Sequence, residues 1–124
     1  MKNKQRATAL AVLLLLSGTS YADNLRVTWR NPTTYVDGSL IPEGAITQTR
    51  IEYGTCVGYN EFGEVLGNRI KAGESQYVIV SNLVPGQEYC FRGYTTTTTE
   101  SGPSNVVSMT IPISVPSPPT LNLF

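Results

Sequence analysis

The chain has 124 residues, nine Lys+Arg against nine Asp+Glu for a net charge of +0, and no histidine. The missing histidine removes the commonest general base, the Ser-His-Asp arrangement and histidine metal sites. Balanced charge leaves no electrostatic footprint for nucleic acid and no basic patch for anionic lipid.

Lys2, Lys4 and Arg6 precede an apolar run over residues 7–16, and Ser20-Tyr21-Ala22 supplies the small residues a signal peptidase needs. These are the three regions of a secretory signal peptide, with cleavage expected after Ala22. The apolar run falls short of the roughly 20 residues of a membrane span, and no cysteine follows it to carry a lipid anchor. The expectation is therefore a signal over residues 1–22, a secreted or periplasmic location, and no membrane attachment after cleavage. The mature residues 23–124 keep six cations and all nine carboxylates, a net charge of −3, and are enough for one small domain.

Leu25-Arg26-Val27-Thr28-Trp29-Arg30 alternates apolar and polar residues, as a half-buried strand does, and Asn31-Pro32 ends it. Residues 33–44 read as a long connection with turns at Asp37-Gly38 and Pro42-Glu43-Gly44. Ile51-Glu52-Tyr53 resumes the alternation, and Gly54 closes that strand. Residues 57–67 are poorly patterned and predict a loop or a short edge strand. Residues 75–80 predict a strand rich in β-branched side chains.

Leu83-Val84-Pro85-Gly86-Gln87-Glu88-Tyr89 then places a Pro-Gly turn ahead of a tyrosine that opens the next strand. In β-sandwiches this is the tyrosine corner, here Leu83, Pro85, Gly86 and Tyr89, in which the ring packs under the turn and the hydroxyl bonds backbone upstream. Residues 89–97 predict a strand, 100–104 a loop and 105–112 the last strand. In the tail, Pro116-Ser117-Pro118-Pro119 is extended, and Thr120-Leu121-Asn122-Leu123-Phe124 alternates like a strand. Short strands separated by turn signals in a chain of this length predict an all-β antiparallel sandwich.

Both cysteines, Cys56 and Cys90, lie in the mature part, where export favours a disulfide. They lack the Cys-X-X-Cys spacing of a redox pair. Closing the loop from 56 to 90 stabilises by up to about 4 kcal/mol. Glu61 and Glu64 read as solvated carboxylates rather than catalytic ones. Asp37 is one carboxylate where calcium takes about six to eight oxygens, so its role is in the turn. Trp29, Tyr53, Tyr89 and Phe91 fall on apolar faces and read as core. Tyr35, Tyr59, Phe62 and Tyr94 remain as a candidate contact surface, since aromatic residues are enriched where proteins meet partners.

Val27-Thr28-Trp29-Arg30-Asn31-Pro32-Thr33-Thr34 with Asp37-Gly38-Ser39, Arg50-Ile51-Glu52-Tyr53-Gly54-Thr55, the corner segment, and Glu100-Ser101-Gly102-Pro103-Ser104-Asn105 resemble, in order, motifs of fibronectin type III domains of the bacterial and phage variety. The resemblance implies an immunoglobulin-like sandwich over residues 23–113. It implies that Cys56 lies just past the third strand and Cys90 early in the strand pairing with it, both pointing outward, so that they form a structural cross-strand disulfide. Only Asp23 and Asn24 precede the tryptophan strand in the mature part, so the family's first strand is expected to be missing. Residues 114–124 resemble a linker and the first strand of a following domain. Either the chain is a fragment of a tandem array, or the tail substitutes for the missing strand in its own domain or a neighbour's.

The function implied is a secreted, non-catalytic module for protein contact, adhesion or spacing, with no cofactor or metal. The alternative is a binding module for cell-surface polysaccharide that uses exposed tyrosines. The expected partner is a protein or such a polysaccharide, not nucleic acid, with self-association through the tail as a further expectation.

Overall fold

The computed structural model describes residues 13–17, 24–113 and 115–123. The rest of the segment read as a signal peptide, with its cleavage position after Ala22, lies outside them. Among the described residues there are seven strands: β1 (Leu13–Ser17), β2 (Leu25–Arg30), β3 (Gln48–Gly58), β4 (Glu61–Ala72), β5 (Tyr77–Val80), β6 (Glu88–Thr96) and β7 (Val107–Thr110). They form a three-stranded sheet, β1-β2-β5, and a four-stranded sheet, β4-β3-β6-β7, with every pairing antiparallel. The molecule is an all-β antiparallel sandwich.

Alternation explains which side chains meet between the sheets. Leu25, Val27 and Trp29 point inward from β2 and meet Val80 of β5 and Ile51, Tyr89 and Phe91 of the facing sheet, with Leu83 and Ile111 completing the core. Tyr53 packs against this cluster from its margin, its ring 6.5 Å from that of Phe91. Full burial of aliphatic and aromatic side chains of this kind contributes about 1.5–3 kcal/mol each. The Trp29 indole N–H, which needs a partner once covered, donates to Asn31 Oδ1 at 2.9 Å. The Asn31 backbone N–H in turn donates to Gln76 Oε1 at 2.7 Å, and its side-chain amide donates to the Glu74 carbonyl at 2.9 Å.

Two expectations are corrected here. Residues 57–67 are neither a loop nor a short edge strand. They are the tip and first half of a long hairpin in which β3 and β4 join through Tyr59-Asn60, with Asn60 in the left-handed region at φ 49°. β4 is an edge strand whose side chains are largely exposed, so its sequence needs no apolar alternation. The second correction concerns the first strand. The edge of β2 is not empty, because β1 pairs along it from Leu13↔Arg30 to Ser17↔Arg26. The strand comes from inside the segment read as signal, a place the mature sequence does not cover.

Candidate functional site: the outer face of the four-stranded sheet

Strand parity decides which residues reach the outer face. On β6, Tyr89, Phe91 and Thr95 turn inward, which sends Cys90, Arg92 and Tyr94 outward. The register with β3 sets Arg92 opposite Glu52 and Tyr94 opposite Arg50, and β4 adds Asn68 opposite Glu52. Four charged and aromatic side chains from strands distant in sequence therefore share one patch.

Within it the pairing is dense. Arg50 grips Glu100 through two of its three nitrogens, Nε at 2.9 Å and Nη2 at 3.1 Å, and donates through Nη1 to Asn68 Oδ1 at 2.8 Å. Its guanidinium lies 4.1 Å from the centre of the Tyr94 ring. Arg92 Nε reaches Glu52 Oε1 at 2.5 Å and stacks 4.1 Å over Phe62. The Tyr94 hydroxyl donates to Glu52 Oε1 at 3.2 Å. The bond to Glu100 raises the Arg50 pKa above its already high value, against the opposing effect of burial. Burial pushes the Tyr94 phenol above its usual value, partly offset by the positive charge of Arg92. Both carboxylates of the patch are thus held as ion-pair partners.

One end of the patch is fastened covalently. Cys56 and Cys90 are bonded, with Cα atoms 5.4 Å apart across β3 and β6. Cys56 lies inside β3 rather than past it, because the strand runs on to Gly58. Cys90 faces the outer side yet is fully buried, since the β3–β4 hairpin folds over it and brings the Glu61 carbonyl to 3.6 Å from its sulfur. That approach is a packing contact, because a disulfide sulfur carries no proton to donate. The hairpin can close so tightly because Gly54 has no side chain: a Cβ there would collide with the Glu64 carbonyl.

On the inward face beside Cys90, Tyr89 is buried and its hydroxyl accepts from the Val84 N–H at 2.9 Å. The Val84 carbonyl accepts from the Gln87 N–H across Pro85-Gly86, and Gly86 takes φ 86°, as the third residue of a type II turn must. Leu83 anchors the segment in the core.

No protein-family model and no curated protein matches the chain. Among solved structures, it is similar to the fibronectin type III domain of the human KIAA0970 protein, at 15% identity over 96% of this chain and 88% of that one, with a TM-score of 0.64. The third fibronectin III domain of the human KIAA0343 protein is similar at 14% identity over 94% and 92%, with a TM-score of 0.59. The sixth fibronectin type III domain of human fibronectin type III domain containing protein 3 is similar at 21% identity over 89% of each chain, with a TM-score of 0.56. The fold is that of a fibronectin type III domain.

On this fibronectin type III frame the four aromatic residues expected to form a contact surface do not come together as one exposed set. Tyr59 stands free at the hairpin tip, 91% exposed. Phe62 and Tyr94 are half-buried beneath Arg92 and Arg50, and Tyr35 is half-buried in the long loop after β2. Tyr94, placed in the candidate contact surface, does not present an open ring, because the Arg50 guanidinium covers it. Sequence reasoning passed over Arg50, Glu52, Arg92 and Glu100. The available signal was the i, i+2 spacing of Arg50 with Glu52 and of Arg92 with Tyr94 on two strands whose pairing the family resemblance already implied; Glu100, outside the strands, carried no such signal. Val57 beside Tyr59, with Val65, Leu66 and Ile70 along β4, adds exposed apolar surface to the same hairpin.

Proposed function

We propose that this protein is a secreted, non-catalytic fibronectin type III module of the bacterial or phage variety that works by contact with another protein, as an adhesive or spacing element. The observation that carries this reading is the β3–β4 hairpin. Its tip presents Tyr59 and Val57 to solvent, and the arginine and aromatic patch behind it is braced by ion pairs and a disulfide. Aromatic residues and arginine on a rigid support are the side chains that dominate binding energy where proteins meet. The carboxylates of the patch, Glu52 and Glu100, are engaged by arginines. A disulfide fits an oxidising compartment, and Lys2, Lys4, Arg6, the apolar run and Ser20-Tyr21-Ala22 supply the means of export.

The test measures adsorption of the exported protein to cell-envelope material that is untreated, protease-treated or periodate-oxidised. Protein contact predicts that protease treatment abolishes adsorption, and that Val57→Asp with Tyr59→Asp weakens it at least tenfold. Adsorption that survives protease and is lost on periodate oxidation would overturn the reading in favour of polysaccharide.

A further inference from the structure

The edge of β2 is covered by residues that cleavage after Ala22 would remove. Loss of β1 uncovers the backbone N–H and C=O groups of β2 on that side, beside the core positions Val27 and Trp29, and an open edge of this kind is a template for another strand. We infer that in the exported protein this edge is filled by the tail of a second copy, residues 120–124, so that the chains join head to tail. The inference rests on the export reading proposed above.

Three observations single out this occupant. The first is register. β1 covers β2 with five residues, and Leu14 and Leu16 stand opposite Trp29 and Val27. The tail offers five residues with leucines at the same spacing: placed antiparallel, Leu121 falls opposite Trp29 and Leu123 opposite Val27, with the polar Thr120 and Asn122 opposite Arg30 and Thr28. Residues directly opposite each other point to the same face of a sheet, so both leucines would enter the core while Thr120 and Asn122 would face water. The second is availability. Leu121 is 84% and Leu123 99% exposed, and residues 115–123 belong to no strand. The third is direction. Leu25 at the start of β2 pairs with Val80, and the short segment from there leads to Gly86 and Gln87, which bond Ile111. The tail therefore leaves at the pole where β2 begins, whereas an antiparallel donor must enter at the far pole, beside Arg30. The far pole is about 20 Å away at the rise of a strand. An extended linker over residues 112–119 covers about 25 Å, so its length is spent in reaching that pole. Pro116, Pro118 and Pro119 hold it straight and leave no turn to bring it back. A tail from another molecule arrives from the far pole with no reversal. Such a contact joins two different surfaces and leaves one of each free, so it propagates as an open chain.

The experiment uses the full-length gene with Thr28→Cys and Asn122→Cys, exported and oxidised, and read by intact mass, non-reducing gel and sedimentation. Tail exchange predicts a chain that begins at Asp23, a ladder of disulfide-linked multimers in the double variant, and no ladder in either single variant. It also predicts concentration-dependent association of the unmodified exported protein, abolished by Leu121→Asp with Leu123→Asp. A chain beginning at Asp23 that stays monomeric, or that forms only an internal cross-link, would overturn tail exchange and leave the export reading intact. An exported chain that retains residues 13–17 would overturn both the cleavage position and the open edge. Association unaffected by the leucine substitutions would mean that a different surface holds the copies together.

Discussion

Tyr89 and Tyr94 occupy the same strand on opposite faces, and their hydroxyls answer to different surroundings. Tyr89 is buried, and its oxygen accepts the Val84 N–H. Tyr89→Phe is expected to destabilise by about 1–2 kcal/mol, the range for removing one partner of a covered hydrogen bond. Tyr94→Phe loses a 3.2 Å bond to a carboxylate that Arg92 still holds, so its effect should stay below about 1 kcal/mol. Denaturant midpoints of the two variants check the order. Tyr94 also makes stability depend on pH. Burial raises its folded pKa above the unfolded value near 10. The folded state thus keeps the proton longer, and the contribution is fully present below about pH 10 and lost as pH rises through the folded pKa. Between about pH 9 and about pH 11 the unmodified protein should lose more stability than Tyr94→Phe, as read from midpoints at the two pH values. Thr49 and Thr95, directly opposite each other on β3 and β6, are fully buried with hydroxyls that find no partner among the described residues. Removing an unpaired buried hydroxyl while keeping the shape is favourable, so Thr95→Val should raise the thermal midpoint, by an amount equivalent to about 1 kcal/mol.

At the scale of elements, legibility followed burial. β2 was readable because one face is core and the other is solvent, and Leu25, Val27 and Trp29 mark the difference at every second residue. The corner segment was readable because Pro85 and Gly86 encode the turn locally, with no help from distant residues. β4 was not readable, since Glu64, Val65, Leu66, Asn68 and Ile70 are all exposed and no alternation is imposed on them. Its position depends instead on the register shifts of the hairpin near Gly54 and Cys56. The outer patch was hidden for a related reason: Arg50 and Glu100 become neighbours only after two strands and a loop have been assembled. Ser101 and Ser104 show the same dependence on assembly, for their hydroxyls accept from the Thr95 and Gly93 N–H groups at 3.0 and 2.7 Å and extend the sheet beyond β7. The tight hairpin gives a direct test. Gly54→Ala places a Cβ against the Glu64 carbonyl, and a backbone atom cannot swing aside, so the variant should lose about 1–3 kcal/mol, measured by chemical denaturation.

For the molecule as a whole, the Cys56–Cys90 bond is a contribution that can be removed without any substitution. In a domain of this size net stability is about 5–15 kcal/mol, and a closed loop of this length contributes up to about 4 kcal/mol. Reduction should lower the denaturation midpoint sharply at neutral pH, and reoxidation should restore it. The central pairing of β3 with β6, which matches Gln48 to Thr96 and Thr55 to Tyr89, bears on how the chain reaches this state. Residues some thirty-five to fifty positions apart must find each other before any ladder bond forms between them, and folds governed by such non-local pairing assemble slowly, in about milliseconds to seconds. A covalent link next to the Thr55–Tyr89 end of the ladder turns that search into a local one. Once formed, the bond that braces the finished surface thereby also keeps β3 beside the same neighbour whenever the oxidised chain unfolds and refolds.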